Sequence, residues 1–372
     1  MSSQTDSIQT QLKKLAENAS GFLPDTALYQ YIAWLNEQLE NRDEKFEKEY
    51  LPVIGQVERS SGPKAPFLSV ITRTQGKRPE MLRETLLSLG GQSDSDFELI
   101  LIGHKLDEEK KALVRRILDE QPESFREKTR FIELDHGTRT TPLNTGFAYA
   151  RGSYAAVLDD DDVVLDNWVE SFHQAAQEKP GTIVHAYVLT QKWMTVDSGD
   201  DRLGLRASAA FGAECCMDFE LLRQLDYNMC PLMGLAFPTY YFQKLGMIFD
   251  EKLTTTEDWD YFMRLSFLAG VTDVDHPTSI YRLWENAQNS QTEHTRAEWD
   301  KNRDTIQEKY LNMPILIPAG SEKIYKVGDS AYAGCGAERA AIKEIIKKHI
   351  PRPIWNIAKK LYRFFGGKKW LG

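Results

Sequence analysis

Between positions 67 and 159 the chain alternates two apolar patterns. Four short runs have almost no polar interruption: FLSVIT (67–72), FELILIG (97–103), RFIEL (130–134) and YAAVLD (154–159). Such β-branched, two-sided runs predict strands covered on both faces. Helical spacing separates them. RPEMLRETLLSLGG places Leu82, Leu86 and Leu89 on one stripe, with Pro79 in the first turn and Gly90 as a stop. DEEKKALVRRILDEQ predicts a second helix and TPLNTGFAYARG a short third one. This alternation predicts an α/β domain with a mostly parallel sheet flanked by helices. Ligands of such sheets bind beyond the carboxyl ends of the strands.

The pattern is less regular downstream. TIVHAYVLTQKW predicts a strand, FELLRQL and PTYYFQKLG short helices, and TEDWDYFMRLSFLAG a longer helix with Thr256 as N-cap and acidic residues in its first turn. VTDVDH (271–276) and TSIYRLW (278–284) predict two short extended segments. Upstream, residues 1–60 predict a helical extension, with Asp25 as an N-cap and Leu28, Tyr31, Ile32, Leu35 and Leu39 at helical spacing. SSGPKAP (60–66) has a linker's composition. The expected organisation is an N-terminal helical extension (1–60), the α/β domain (61–290), a helical or irregular segment (291–340) and a basic amphipathic tail (341–372).

Composition narrows the class. The 372 residues are 41% hydrophobic and 27% charged. No run reaches about 18 apolar residues, so no transmembrane helix is expected, and MSSQTDSIQT lacks a secretory apolar region. Cys215, Cys216, Cys230 and Cys335 show no paired C-x-x-C spacing, which predicts neither a zinc site nor a disulfide framework and suits a reduced, cytoplasmic chain. Net charge is −9, yet Lys343–Gly372 carries nine Lys/Arg and one Glu. The rest is therefore more acidic than the whole, which argues against nucleic acid as a partner.

One stretch demands compensation. SYAAVLDDDDVVLDNW ends an apolar run with four consecutive aspartates, Asp159 to Asp162. Like charges at close range raise one another's pKa. Solvent, a helix N-terminus or a bound cation could offset them. As surface charge they would need no role, and Asp166 would then merely cap the helix beginning near Asn167.

Four blocks in order, SVITRT…RPEMLRETLLSL, FELILIG, RTTPLNTGFAYARGSYAAVLDDDD and FDEKLTTTEDWDYFMRL, resemble the family 2 glycosyltransferases of the GT-A fold, from about Phe67 to Trp284. The resemblance implies an inverting, metal-assisted transfer of a sugar from a nucleotide-sugar, UDP or dTDP before others, to a hydroxyl of a glycan or lipid-linked glycan. Leu158-Asp159-Asp160-Asp161-Asp162 stands at the family's L-D-x-D-D pattern. Asp161 would then hold Mn²⁺ or Mg²⁺ on the donor diphosphate, with Asp159 a further ligand. Asp159 or Asp160 would face the ribose or the sugar. Asp258 in TEDWD would be the general base and Glu257 would orient the acceptor or a nearby loop, although both could simply complement the helix dipole.

Thr72-Arg73-Thr74 stands where the family commonly has Pro-Thr-Tyr-Asn and would cradle the base, with Arg78 near the base or phosphates. Arg139 would contact phosphate, and Asn144 would fix backbone near the aspartates. Arg282 in YRLWEN would meet the diphosphate. Trp284 replaces a histidine that some relatives use for metal, with His294 as a substitute. Gly103-His104-Lys105 departs from the family's acidic pair and leaves the base undefined.

PIWNIAKKLYRFFGGKKW sets Trp355, Leu361, Phe364 and Phe365 opposite Lys359, Lys360 and Arg363. This describes an interfacial membrane helix, unless the apolar face docks on the protein's own core or on a partner helix. A peripheral location on the inner face of the cell membrane follows, and the N-terminal helices could form an oligomer contact. Two other functions remain open: a sugar nucleotidyltransferase, for which TRTQGKRP is a poor phosphate loop, and a catalytically silent, membrane-docked glycan-binding subunit.

Overall fold

The computed structural model describes residue 33 and residues 44–60, 65–197, 203–286 and 294–311. All lie in the first of two units, Met1–Leu316. The predicted helix at Asp25–Leu39, except Ala33, and the basic amphipathic tail fall outside the described residues.

The parallel half follows the apolar runs. β1 (Leu68–Thr74), β2 (Phe97–His104), β3 (Thr129–Leu134) and β4 (Tyr154–Val157) pair in parallel in the order β3-β2-β1-β4. Period-two alternation divides their side chains between two cores. Val70, Leu99 and Leu101 face α2 (Pro79–Gly90) and α3 (Glu108–Asp119), joined by Trp168 and Phe172 of α6 (Trp168–Glu178). Ile71, Ile100 and Ile102 face the other layer, where Leu143 and Phe147 of the short helix Thr141–Tyr149 pack. We call this helix α5; a turn at Glu123–Arg126 is α4, and Leu51–Ser60 is α1. A Cβ on Gly146 would lie 2.4 Å from Ile71 Cγ2, so glycine lets α5 approach β1 closely.

The second half makes the sheet mixed. β9 (Leu235–Pro238) adds antiparallel to β4, and β6 (Ile183–Asp197) adds antiparallel to β9. The final long strand β10 (Val271–Trp284) runs parallel to β6, and the two-residue β5 (Val163–Val164) closes the edge antiparallel to it. β7 (Leu203–Ala207) and β8 (Gly212–Cys215) pair antiparallel with β6. VTDVDH and TSIYRLW thus form one strand, with register shifts on either side of Pro277, which has no N–H to give the ladder.

Three helices complete the second half: α7 (Leu221–Asp226), α8 (Thr239–Gln243) and α9 (Glu257–Ala269). α10 (Arg296–Leu311) packs Ile306 and Tyr310 against Leu253, Trp259 and Met263. The N-terminal helical segment seats Phe46, Tyr50 and Ile54 in the α5 core, with Phe46 edge-on to Phe242 at 5.9 Å. Glu251 fixes it there: the carboxylate accepts from Lys45 (2.6 Å), Tyr50 (2.6 Å) and Asn144 (3.0 Å). Among the described residues no helix is long and apolar enough to cross a membrane.

Candidate active site

β1 and β4 deliver their carboxyl ends side by side, and the four aspartates follow β4 directly. Each meets a different partner. Asp159 receives Arg73 Nε (2.8 Å) and Nη2 (3.2 Å) on its two oxygens. Asp160, nearly buried, accepts from Thr74 Oγ1 (2.6 Å) and from Arg78. Arg78 also holds Asp161. Asp162 turns inward, where its Oδ1 accepts the Arg282 backbone N–H at 2.7 Å and its carbonyl accepts from Thr85 Oγ1 at 2.8 Å.

Charge balance separates the four. Burial opposes ionisation of Asp159, but the charge and hydrogen bonds of Arg73, with Arg139 and Arg78, outweigh it and hold the carboxyl below its ordinary range. The reverse holds for the other three. Burial, with neighbouring carboxylates, raises Asp160 and pushes Asp162 well up, against the pull of Arg78 on the former and the Arg282 N–H on the latter. Asp161 is pushed up to about 7, chiefly by burial and by Asp160 and Asp159, although Arg78 opposes this.

The second carboxylate group opens α9. Its N-cap, Thr256, has φ +60° and ψ 20°, a left-handed conformation unfavourable for a β-branched residue. Its hydroxyl bonds the Thr255 carbonyl and does not cap the helix as expected from sequence. Glu257 is buried; its Oε1 accepts from Arg73 Nη1 (3.1 Å) and Arg139 Nε (3.0 Å). Its Oε2 is buried with no partner among the described residues. Asp258 accepts from Asn228 Nδ2 (3.1 Å) and from the Trp259 N–H (2.8 Å), and is half-buried. Burial and the Glu257 charge push it up to about 6, against the Trp259 N–H, Arg139 and Arg73. Asp260 belongs elsewhere: it is fully buried, bonded to Arg264 (2.9 Å) and Lys309 (2.6 Å), and joins α9 to α10.

The arginines divide by how fully they are engaged. Arg73 and Arg78 are committed to carboxylates. Arg139 gives Nε to Glu257, and its Nη1 stands 3.5 Å from His294 Nε2. Arg282 gives Nη2 to Glu84 (2.5 Å), while its buried Nε and Nη1 have no partner among the described residues. Its guanidinium lies 4.1 Å from the Trp193 ring centroid and 5.9 Å from that of Trp284, a cation–π setting. Arg139 and Arg282 are therefore the arginines with N–H groups to offer an anion.

Other expected residues serve the scaffold. The Asn144 amide bonds Phe249 in both directions (3.0 and 2.8 Å) and Glu251, so it fixes the segment leading to α9 and not backbone at the aspartates. Thr74 holds Asp160. Thr72 is fully buried within the sheet, its hydroxyl without a partner among the described residues. His294 faces Arg139 and, at 3.7 Å, Glu298.

The donor set suits a divalent cation in charge and hardness: Asp159 to Asp162, Glu257 and Asp258 outnumber Arg73, Arg78, Arg139 and Arg282, and carboxylate oxygens are ligands for Mg²⁺ or Mn²⁺. Among the described residues no three His, Cys, Asp or Glu groups are placed to hold an ion by themselves. Asp161 fits best, being the aspartate still in need of positive charge that retains some exposure. Asp159 fits less well than expected from sequence, because Arg73 occupies both its oxygens.

Residues 69–207 match the family described as Glycosyl transferase family 2. Over these residues the chain is similar to family 2 glycosyltransferases. A protein of Rickettsia bellii (strain RML369-C), described as an uncharacterized glycosyltransferase, is 24% identical over 220 residues, covering 55% of this chain and 28% of that protein. The chain thus spans little more than a quarter of that relative's length. Among solved structures, S. aureus TarS 1-349 in complex with UDP gives a TM-score of 0.47 at 14% identity, over 76% of this chain and 71% of that one. The same protein in complex with UDP-GlcNAc gives 0.48 at 13%, over 75% and 80%. These are distant likenesses.

Three residues of the candidate site were missed in the sequence: Asn228 on Asp258, Glu84 on Arg282, and Trp193 under the same guanidinium. Each reaches the site from an ordinary helix, loop or strand with no local signature.

Proposed function

We propose that this protein is an inverting, nucleotide-sugar-dependent glycosyltransferase whose general base is Asp258. The observation that carries the reading is the pairing, across Arg73 and Glu257, of an aspartate cluster short of positive charge with a carboxylate raised to about 6. A base with that pKa is ionised at neutral pH and still basic enough to take a proton.

In the proposed reaction the acceptor hydroxyl oxygen attacks the anomeric carbon, and its proton passes to Asp258. The bond from that carbon to the diphosphate oxygen breaks, and the electron pair leaves with the nucleoside diphosphate. Arg139 and Arg282 direct N–H groups to the phosphate oxygens, where bidentate geometry favours arginine. Glu257 Oε2 receives a hydroxyl of donor or acceptor, which satisfies a buried oxygen. Asp161 would hold Mn²⁺ or Mg²⁺, which when bound supplies charge neutralisation to the leaving diphosphate. Arg73 leaves Asp159 little capacity for a ribose hydroxyl. UDP and dTDP are the donor classes to test first, with a glycan or lipid-linked glycan as acceptor at a membrane surface reached by the basic tail.

The test is turnover of UDP-, dTDP- and GDP-sugars with Mn²⁺ or with EDTA, for wild type, Asp161→Ala and Asp258→Asn. Metal-dependent release of one nucleoside diphosphate, lost in both variants, is the expected result. No release and no metal-dependent binding of any donor would overturn the reading in favour of a silent glycan-binding subunit.

A further inference from the structure

We propose that Arg73 is a positioning residue that locks the donor-side carboxylate Asp159 to the start of α9, so that the donor pocket and the helix presenting the base move as one unit. The proposal rests on the assignment of Asp258 as base. Its geometry stands apart from that assignment.

Arginine offers five N–H donors in a fixed fork. In Arg73, Nε and Nη2 grip the two oxygens of Asp159 at 2.8 and 3.2 Å, while Nη1 gives to the Arg139 carbonyl at 2.8 Å and to Glu257 Oε1 at 3.1 Å. One N–H remains, too little for a diphosphate. The same side chain therefore ties three segments far apart in sequence: the end of β4, the loop before α5 and the first turn of α9. Glu257 is the junction, since Arg139 binds the same oxygen from the other side at 3.0 Å.

Sequence alone pointed Arg73 toward the nucleotide base. The structure gives it a different task. The left-handed Thr256 sits immediately before Glu257, so the helix start is held in a conformation it would not choose unaided. Glu257, pulled by two guanidiniums, restrains it from the helix side, as Asn302 on Thr255 does from the loop side. Lysine could supply the charge at position 73 but not the fork. The charged and titratable groups around Asp258 are Glu257 on its own helix, Arg139 from the α5 loop, Arg73 from β1, Tyr281 from β10 and Cys230 from the loop before β9.

The experiment uses the full chain as wild type, Arg73→Gln and Arg73→Lys. Without donor, the Asp258 carboxyl is titrated by carbon-13 NMR, and amide exchange is followed over residues 255–262. The expected result is a midpoint raised by about one pH unit in Arg73→Gln, because a nearby positive charge is gone. In Arg73→Lys the midpoint stays near wild type while exchange over 255–262 accelerates about tenfold, as expected for a local restraint of modest strength. With the donor that the turnover panel selects, kcat falls in both variants while donor KM changes less than about threefold, the pattern of a residue that does not grip the ground-state donor.

A folded Arg73→Gln with an unshifted Asp258 and unchanged exchange would overturn the proposal. So would a large rise in donor KM with kcat intact, which would make Arg73 a donor contact. Should Arg73→Gln not fold, Arg73→Lys decides: wild-type exchange and kcat would refute the fork. Failure of wild type to turn over any donor would defeat the proposed reaction and leave the NMR and exchange measurements to judge Arg73 independently.

Discussion

The two ends of the parallel sheet bury carboxylates in opposite ways. At the amino end, Glu98 accepts from Ser69 Oγ (2.7 Å), the Arg151 N–H (2.8 Å), Arg151 Nε (2.8 Å) and Arg130 Nη2 (3.0 Å). Two guanidiniums serve one carboxylate. At the carboxyl end, Arg78 is shared by Asp160 and Asp161, and Asp162 relies on a backbone N–H. Helix α9 repeats the contrast two residues apart. Asp260 is held below its ordinary range because Arg264 and Lys309 outweigh its burial, while Asp258 is raised. Saturated carboxylates hold segments together. Unsaturated ones mark where a ligand supplies the missing charge.

The contrast breaks most sharply in α9. Asp258→Asn should lower kcat about a thousandfold, the effect expected for loss of the proposed general base, with no loss of thermal stability at pH 7.5. Asp260→Asn should do the opposite. It leaves Arg264 and Lys309 facing a neutral amide, a loss of about 3 kcal/mol, with kcat per folded molecule within a few-fold of wild type. Urea unfolding alongside turnover checks both, and a catalytic defect in Asp260→Asn that stability does not explain would erase the distinction.

At the sheet's two ends the same swap should give stabilities of opposite sign. Glu98→Gln removes the acceptor for two arginines and should cost about 2 kcal/mol while turnover survives. Asp161→Asn should raise stability at pH 8 by about 1 kcal/mol while turnover is lost. The sign follows from the raised pKa. The folded state holds the Asp161 proton more tightly than the unfolded chain, so its contribution to stability is fully present below the ordinary carboxylate range and lost as pH rises through about 7. Asp258 adds the same slope through about 6. Melting temperature against pH should therefore fall less steeply in Asp161→Asn than in wild type. On the same reasoning, and with metal at a concentration that keeps Asp161 ionised, kcat/KM for the donor should climb with pH up to about 6, where Asp258 ionises, and then level off.

How far the chain could be read from its sequence depends on range. β1, β2 and β4 were legible because burial on both faces leaves an apolar run in each, as in FELILIG, while β3, at the sheet edge, is only partly buried and showed through its place in the strand–helix alternation. β5, β7, β8 and β9 were not: each has five residues or fewer, and none falls in the strand–helix alternation that marked the equally short β4. VTDVDHPTSIYRLW looked like two segments because Pro277 interrupts the pattern, although the strand continues past it in shifted register. The aspartates and TEDWD stood out as local clusters. Their partners did not. Arg73 and Asp159 are 86 positions apart, and only the pairing of β1 with β4 brings them together. The capping role expected for Thr256 failed because its backbone is left-handed and its hydroxyl bonds the adjacent Thr255 carbonyl instead.

Thr256 supplies the smallest expected effect. Its left-handed backbone suits glycine, so Thr256→Gly relieves strain on the order of 1 kcal/mol, partly offset by the freer unfolded chain. The melting temperature should rise by a degree or two. Asn302 grips the Thr255 hydroxyl at 2.8 Å and that of Thr254 at 3.0 Å, which keeps the loop in place in either case. If the strained turn only closes the loop, kcat is unchanged. If it aims Asp258, the relaxed variant samples other helix starts and kcat falls about threefold, with the acidic limb of the pH profile fixed near 6. Turnover and melting measured on the same preparation separate these outcomes. A stabilised variant with reduced kcat would mean that the unsaturated end of the molecule is held under strain in its backbone as well as in its charge.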